Sequence, residues 1–342
     1  MMNREWYAMD IQRAIAGLEH VESLQNASIL ITGATGLVGA FLTDTLLQLN
    51  REKQLNLQLT VLCRNRARAK ELFGDQVKVI AGDISKQTDF PECDFIIHAA
   101  SNAHPKAFSA DPVGTMLGNF AGVHNLLEHL RKQGEGRLLF VSTGEIYGDN
   151  PAVLDGFSET DFGKVDSMNP RSCYPESKRA AETLCASYQS EYEVDVVVAR
   201  LCYVFGPTIT NENSRADAQF LRNALAGEDI VMKSAGSQVR SYCYVSDAVS
   251  ALLTILLKGE TGTAYNVANR NASRSVREYA ETLAKIAGVQ VRFEIPADAE
   301  KRGYSTVSRA VQKPDRLEAL GWQPQFSFEE GLEHTYRMMA ER

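Results

Sequence analysis

Gly33-Ala-Thr-Gly36-Leu-Val-Gly39 narrows the choice of folds more than any other stretch of this chain. It follows Ser28-Ile-Leu-Ile-Thr32, which reads as a short buried strand, and it opens an apolar segment, 37–49, with helical character. Glycine permits a tight turn and close backbone approach, and the N-terminus of the following helix offers unpaired N–H groups to a pyrophosphate. Thr35, Leu37 and Val38 belong to the same turn and are expected to line it. The spacing is GxxGxxG rather than GxGxxG. A plain strand–helix turn is the competing reading. The placement directly after an Ile/Leu strand near the start of the chain favours the phosphate turn.

Strand and helix patterns alternate from there on. Strands are expected at 58–63, 77–81, 95–98, 137–141 and 195–200, and helices at 66–73, 114–132 and 174–192. The strands are continuous apolar runs rich in β-branched residues, as in a parallel sheet covered on both faces. The expected fold is therefore α/β, a Rossmann-type doubly wound parallel sheet with a smaller C-terminal α/β substrate-binding domain. Residues 1–27 form a helical extension, with Ile11, Ile15, Leu18 and Val21 at helical spacing and packed on the main body. Residues 28–205 form the dinucleotide-binding domain and 206–342 the second one. The apolar segment 242–257 is expected to return to the first domain.

Bulk properties restrict the function. With 342 residues the chain has room for two domains, and a net charge of −7 argues against nucleic acid and a polybasic membrane anchor. The longest apolar stretch, near 249–257, is far short of a membrane span. No secretory h-region follows the first methionines, so the expected compartment is cytoplasmic. Six cysteines are scattered without a CxxC pair and read as reduced thiols. His124 and His129 miss the helical i, i+4 face, and no metal is expected.

Four further segments carry chemistry. A dinucleotide site usually places an acid at the end of the second strand, where this chain has Cys63-Arg64. Arg64 suits a 2′-phosphate, so NAD and NADP both stand. Asp83, with Ile84 beside it, is placed either to touch an adenine edge or to cap a helix. Ser142-Thr143-Gly144-Glu145 follows the strand ending at Val141. Its Thr hydroxyl can polarise a substrate alcohol or carbonyl, and Glu145 can move a second proton. Tyr174-Pro-Glu-Ser-Lys178 puts a phenol and a cation on one helical face. A cation beside a phenol favours phenolate, so Tyr174 is expected to have a lowered pKa and to accept a proton from an alcohol.

Together with His98-Ala-Ala-Ser101, Gly206-Pro207, Arg240-Ser-Tyr-Cys-Tyr-Val-Ser-Asp247 and Leu320-Gly-Trp322, these segments resemble the extended short-chain dehydrogenase/reductase family of the epimerase/dehydratase type. The resemblance runs from about Ser28 to the C-terminus. It implies a Rossmann domain that holds NAD or NADP tightly and recycles it, and a nucleotide-diphosphate sugar, UDP-linked by preference, as substrate. It implies Tyr174 as base, Lys178 as its partner and ribose ligand, and Thr143 as the hydroxyl positioning the sugar. Ala99, Ala100, Ser101, Asn119 and Ser142 would border the cofactor. Ser101, Gly144, Glu145, Tyr203, Arg215, Arg240 and Tyr242 would meet the substrate, with Arg240 on its diphosphate; the other reading of Arg240 is a surface arginine paired with Asp247.

The local wording is most similar to UDP-glucuronate decarboxylases, where C4 oxidation yields a β-keto acid that loses CO2. Departures from that pattern are Gly144 in place of a serine, Tyr203 in place of an asparagine, and Gln312 in place of the arginine before Lys-Pro-Asp, a gap that Arg302 or Arg309 could fill. A dTDP-glucose 4,6-dehydratase-like enzyme, a 4-epimerase, an NADPH-dependent 4-keto-sugar reductase and a non-catalytic dinucleotide-binding regulator are the alternatives. The helices at 114–132 and 174–192 carry apolar residues on more than one face and resemble those of a homodimer interface in the family.

Overall fold

The alternation of apolar strands and helices resolves into one twisted parallel sheet in the computed structural model, which describes residues 4–153, 155–295 and 307–340. The elements begin with α1 (Arg4–Ala16), β1 (Ser28–Thr32), α2 (Leu37–Lys53), β2 (Gln58–Cys63), α3 (Arg66–Phe73), β3 (Lys78–Ala81), β4 (Phe95–His98), α4 (Pro105–Ala110) and α5 (Pro112–Gln133). Next come β5 (Arg137–Thr143), α6 (Cys173–Tyr192), β6 (Asp195–Leu201), β7 (Tyr203–Phe205), α7 (Ala216–Leu225), β8 (Ile230–Met232), β9 (Val239–Tyr244) and α8 (Val245–Lys258). The last are β10 (Ala264–Val267), β11 (Ser273–Ser275), α9 (Val276–Ala287), β12 (Val291–Phe293), β13 (Arg309–Ala310), α10 (Asp315–Ala319) and α11 (Phe328–Ala340).

The main sheet has the order β10-β6-β5-β4-β1-β2-β3, every neighbour parallel. Successive strand residues face opposite sides, so each strand feeds two cores. Ile29, Ile31, Val61, Ile97, Leu139 and Val197 pack with α2 and α8 on one face. Leu30, Leu62, Ile96, Leu138, Phe140 and Val196 pack with α5 and α6 on the other. The strand order reverses between β1 and β4, which places the topological switch-point crevice at the carboxyl ends of those two strands.

The later half of the chain contributes to the same sheet. β10 pairs with β6 from Ala264↔Val198 to Val267↔Leu201, and α8 is buried from Val245 through Leu256. A smaller sheet, β11-β9-β13 with β7 joined to β9, stands over the crevice. Helix α1 packs on α2, α8 and α11. Its Asp10 is fully buried, accepts from the Tyr244 hydroxyl at 2.5 Å, and lies 2.9 Å from His334 Nδ1. The extension is thus fastened to the end of β9 and to α11.

Candidate active site

The glycine turn is built for close approach. Gly33 has φ +74°, and a Cβ there would lie 2.6 Å from Ala99 C and Ala100 N, so the two switch-point loops touch backbone to backbone. A Cβ on Gly39 would run into the Gly33 carbonyl. Gly36 caps α2 without a side-chain hydrogen bond, which leaves the first-turn N–H groups near Leu37 and Val38 open to an anion. Thr208 holds the other side of that turn, its hydroxyl donating to the Leu37 carbonyl at 2.7 Å. Thr35, Leu37 and Val38 are half-buried at this mouth. These features fit the diphosphate of a dinucleotide.

Arg64 is exposed just beyond β2. Asp83 makes a turn rather than a helix cap: its Oδ1 accepts from the Ser85 N–H at 3.0 Å and the Ser85 hydroxyl at 2.8 Å. Those bonds hold its carboxyl below the usual range, with a smaller contribution from Arg64. Ile84 is buried, and a Cβ on Gly122 would lie 3.2 Å from it.

At the end of β4 a relay of hydrogen bonds joins the crevice to α6. Ala100 N–H donates to Thr32 Oγ1 at 3.2 Å. Ser101 Oγ donates to Asn119 Oδ1 at 2.8 Å, and Asn119 Nδ2 donates to Ser177 Oγ at 2.9 Å. Asn119 is buried between α5 and α6, so one amide sets the distance between the switch-point loop and the tyrosine helix.

Tyr174 is 5% exposed and stacks on Phe108 with centroids 5.5 Å apart. Burial pushes its phenol up to about 12, and Glu145 pushes the same way, while Arg215 and a hydrogen bond with Thr143 pull it down. Lys178 is also buried, donates from Nζ to the Val141 carbonyl at 2.8 Å, and lies 4.6 Å from the Phe140 ring centroid. Burial lowers it to about 8. The expected lowering of the Tyr174 pKa is therefore reversed. Helical spacing puts both Cβ atoms on one face, but the lysine's ammonium is engaged by β5 and both groups are desolvated.

Thr143 Oγ1 accepts from the Glu145 N–H at 3.2 Å. Ser142 Oγ instead donates to Glu182 at 2.5 Å. Glu182 in turn grips Arg200, with Nη2 to Oε2 at 2.7 Å. This buried ion pair, absent from the sequence reading, ties α6 to β6 beneath the crevice.

A cavity of about 310 Å³ opens in front of Thr143, Gly144 and Glu145 and is lined also by Arg171, Tyr203, Arg215 and Gln312. Arg171 Nη1 lies 3.3 Å from Glu145 Oε2. The Arg240 guanidinium stands 4.4 Å from the Tyr203 ring centroid and that of Arg215 6.0 Å, so two cations lie near one ring. The reading that paired Arg240 with Asp247 fails: Asp247 is buried and accepts from the backbone N–H groups of Gln325 and Phe326. Tyr242 is corrected too. It is 2% exposed and sits in an aromatic core, 5.1 Å from Tyr279 and 5.5 Å from Phe328, because alternate residues of β9 point into that core. Arg309 is exposed on β13 and absent from the cavity wall, while Arg302 lies outside the described residues.

A second cavity, about 450 Å³, opens at the amino ends of β4, β5 and β6 beside Asp94, Arg137 and Asp195. Arg137 and Asp195 are already paired at 2.7 Å, and none of the chemistry-bearing motifs reaches it. Among the described residues no three His, Cys, Asp or Glu side chains converge as a metal site, and no helix is long and apolar enough to cross a membrane.

Residues 29–268 match the model of the NAD dependent epimerase/dehydratase family. The chain is 32% identical over 315 residues to UDP-glucuronic acid decarboxylase 6 of Arabidopsis thaliana, covering 90% of this chain and 87% of that one. UDP-glucose 4-epimerase of Thermotoga maritima, solved with UDP-glucose, superposes with a TM-score of 0.80 at 23% identity over 92% of this chain and 99% of that one. UDP-glucose 4-epimerase of Thermus thermophilus in complex with NAD gives 0.74 at 26% identity over 91% and 98%.

Proposed function

Because the chain belongs to the NAD-dependent epimerase/dehydratase family, we propose that it oxidises C4 of a UDP-linked sugar with a retained NAD, and that this sugar is glucuronate, which then loses its carboxyl group. The observation that carries this reading is a cavity wall formed by Thr143 and the Glu145–Arg171 pair, with Tyr174 hydrogen-bonded to Thr143 behind it. NAD held at the Gly33–Gly39 turn would supply hydride-transfer chemistry at C4.

The remaining work falls to side chains. Thr143 holds O4, and Tyr174 takes its proton. Ionising a phenol this buried requires positive charge nearby, which Arg215 supplies in part. Once C4 is a ketone, the C5 carboxylate is that of a β-keto acid. Its C–C bond breaks with the electron pair passing to the carbonyl oxygen as an enolate, which Thr143 and Tyr174 stabilise. Glu145 delivers a proton to C5, and Arg171 provides the guanidinium that the sugar carboxylate requires. Arg240 and Arg215, both near the Tyr203 ring, suit the diphosphate. Lys178 and Asn119 position the tyrosine helix, and Lys178 is the ribose ligand. The NAD dependent family to which the chain belongs supports NAD as the cofactor.

The assembly is a homodimer through α5 and α6. Val113, Leu117 and Phe120 support this, being 67%, 62% and 45% exposed at i, i+4 and i+7 on one helix. Six free thiols support a reducing, cytoplasmic setting.

Incubation with UDP-glucuronate and NAD, followed by mass spectrometry of the nucleotide sugars, tests the reading. A UDP-pentose with equimolar CO2, lost in Tyr174→Phe, is the expected result. UDP-glucuronate left unchanged by folded, NAD-loaded protein sinks it.

A further inference from the structure

Tyr174 belongs to neither of the two cores that cover the faces of the sheet. Its apolar surroundings are a small cluster of their own, Phe108, Cys173 and Tyr174, with Ala103 packed against it. Phe108 is 1% exposed, and its ring lies 13° from parallel with the Tyr174 ring at 5.5 Å between centroids. The Arg171 guanidinium also lies 5.5 Å from the centroid of the Phe108 ring. Cys173 Sγ, one residue before the tyrosine, donates to the Phe108 carbonyl at 3.6 Å. One ring thus borders two of the groups that the proposed chemistry uses, yet it is absent from the cavity wall.

Phe108 belongs to α4, whose six residues are too few to keep a helical shape or a fixed place unaided. Its anchors come from the loop that leads into α7. The Ser214 hydroxyl accepts from the Lys106 N–H at 2.9 Å and lies 3.2 Å from His104 Nδ1. Arg215 Nη2 donates to the Ala103 carbonyl at 3.0 Å. The same Arg215 lines the cavity. The loop that carries a candidate diphosphate ligand therefore also sets where α4, and with it the Phe108 ring, comes to rest.

We infer that Phe108 is a positioning residue for the reaction: it fixes the plane of the Tyr174 phenol and the place of the Arg171 guanidinium, and Ser214 fixes Phe108 through α4. Phenol and guanidinium must meet one sugar ring together, and a misplacement of about 1 Å at such a site costs roughly a hundredfold in rate. The inference rests on the reading that Tyr174 is the base.

The test begins with Phe108→Leu, which keeps much of the volume and removes the flat ring. With UDP-glucuronate and NAD-loaded protein, kcat should fall by about tenfold or more, while the calorimetric affinity for UDP alone stays within about twofold of the parent. Ser214→Ala leaves the buried cluster intact and guards against misfolding of the ring variant; it should lower kcat in the same direction by about fivefold, the scale of one hydrogen bond. A third measurement needs no sugar. Tyrosinate absorbance is titrated with Tyr174→Phe as the blank, in the parent and in Phe108→Ala. Burial is the largest influence raising this phenol, so uncovering its face should let it ionise at lower pH than in the parent. The other groups facing the phenol, Glu145, Arg215, Thr143 and Tyr203, with Lys178 one turn along α6, are the same in both proteins. Unchanged kcat in Phe108→Leu, a loss of kcat matched by an equal loss of UDP affinity, or an unmoved Tyr174 titration overturns the inference. Unchanged kcat in Ser214→Ala overturns the link through α4. Parent protein inert toward UDP-glucuronate removes the proposed function, and the titration then decides this inference alone.

Discussion

Replacing Arg200 by methionine tests whether the floor of the site depends on a buried charge pair. The two side chains are 8% and 13% exposed, and the guanidinium makes three contacts to Glu182, at 2.7, 3.1 and 3.2 Å. It also donates to the Glu159 carbonyl at 2.8 Å and to the Tyr147 hydroxyl at 3.0 Å. Methionine fills much of the same volume but leaves the Glu182 carboxylate desolvated, with the Ser142 hydroxyl alone to satisfy it among the described residues. Breaking one side of such a pair costs about 3–5 kcal/mol. A chain of 342 residues unfolds with an entropy of roughly 0.7 kcal/mol per kelvin, so Tm should drop by about 4–7 °C. The double variant Arg200→Met, Glu182→Leu removes both charges and should recover a large part of that loss, with a coupling of about 2 kcal/mol or more. Calorimetry of the four proteins at one scan rate measures this. A single variant within about 1 kcal/mol of the parent, or strictly additive losses, would refute the assignment of a mutually dependent pair.

Lys178 gives a pH signature: its ammonium is about 8 in the fold against 10.5 when free, so the folded state binds fewer protons between those values. Stability from this group is present above about pH 10.5 and is lost as pH falls through 8, about 3 kcal/mol in all; thermal unfolding across pH 7–11 should show that slope, and Lys178→Met should remove it. Gly39→Ala drives a methyl into the Gly33 carbonyl, and calorimetric titration should show NAD affinity lower by about tenfold or more. Leu117→Glu with Phe120→Glu should convert a dimer to a monomer in sedimentation velocity; a wild-type monomer would remove the proposed interface.

The sheet is legible in the sequence because strands buried on both faces leave continuous runs such as Ser28-Ile-Leu-Ile-Thr32, and because glycines mark where β1 hands over to α2. The tyrosine and lysine of α6 are legible for a related reason, since helical periodicity is local. What the sequence hides is set by long-range partners. Lys178 reads as a cation beside a phenol until β5 is seen to take its ammonium. Glu182 and Arg200 read as unrelated charges, 18 residues apart, until α6 lies on β6. Gln312 reads as a missing arginine; that its amide lies against Gly144, 168 residues earlier in the chain, appears only when β13 brings the tail across. Arg171 carried a weak local signal, a guanidinium three residues before Tyr174 in the short 3-10 turn, Pro170–Ser172, that leads into α6. Tyr242 illustrates the converse, a motif residue whose strand alternation points it into the core.

UDP-glucuronate deuterated at C4 offers the most direct test of the hydride cycle on which the account rests. The UDP-pentose formed by protein carrying its own NAD should retain the deuterium at C4, while C5 acquires hydrogen from solvent. Pentose product with C4 deuterium washed out to solvent, or CO2 release that persists undiminished in Tyr174→Phe, would contradict the account.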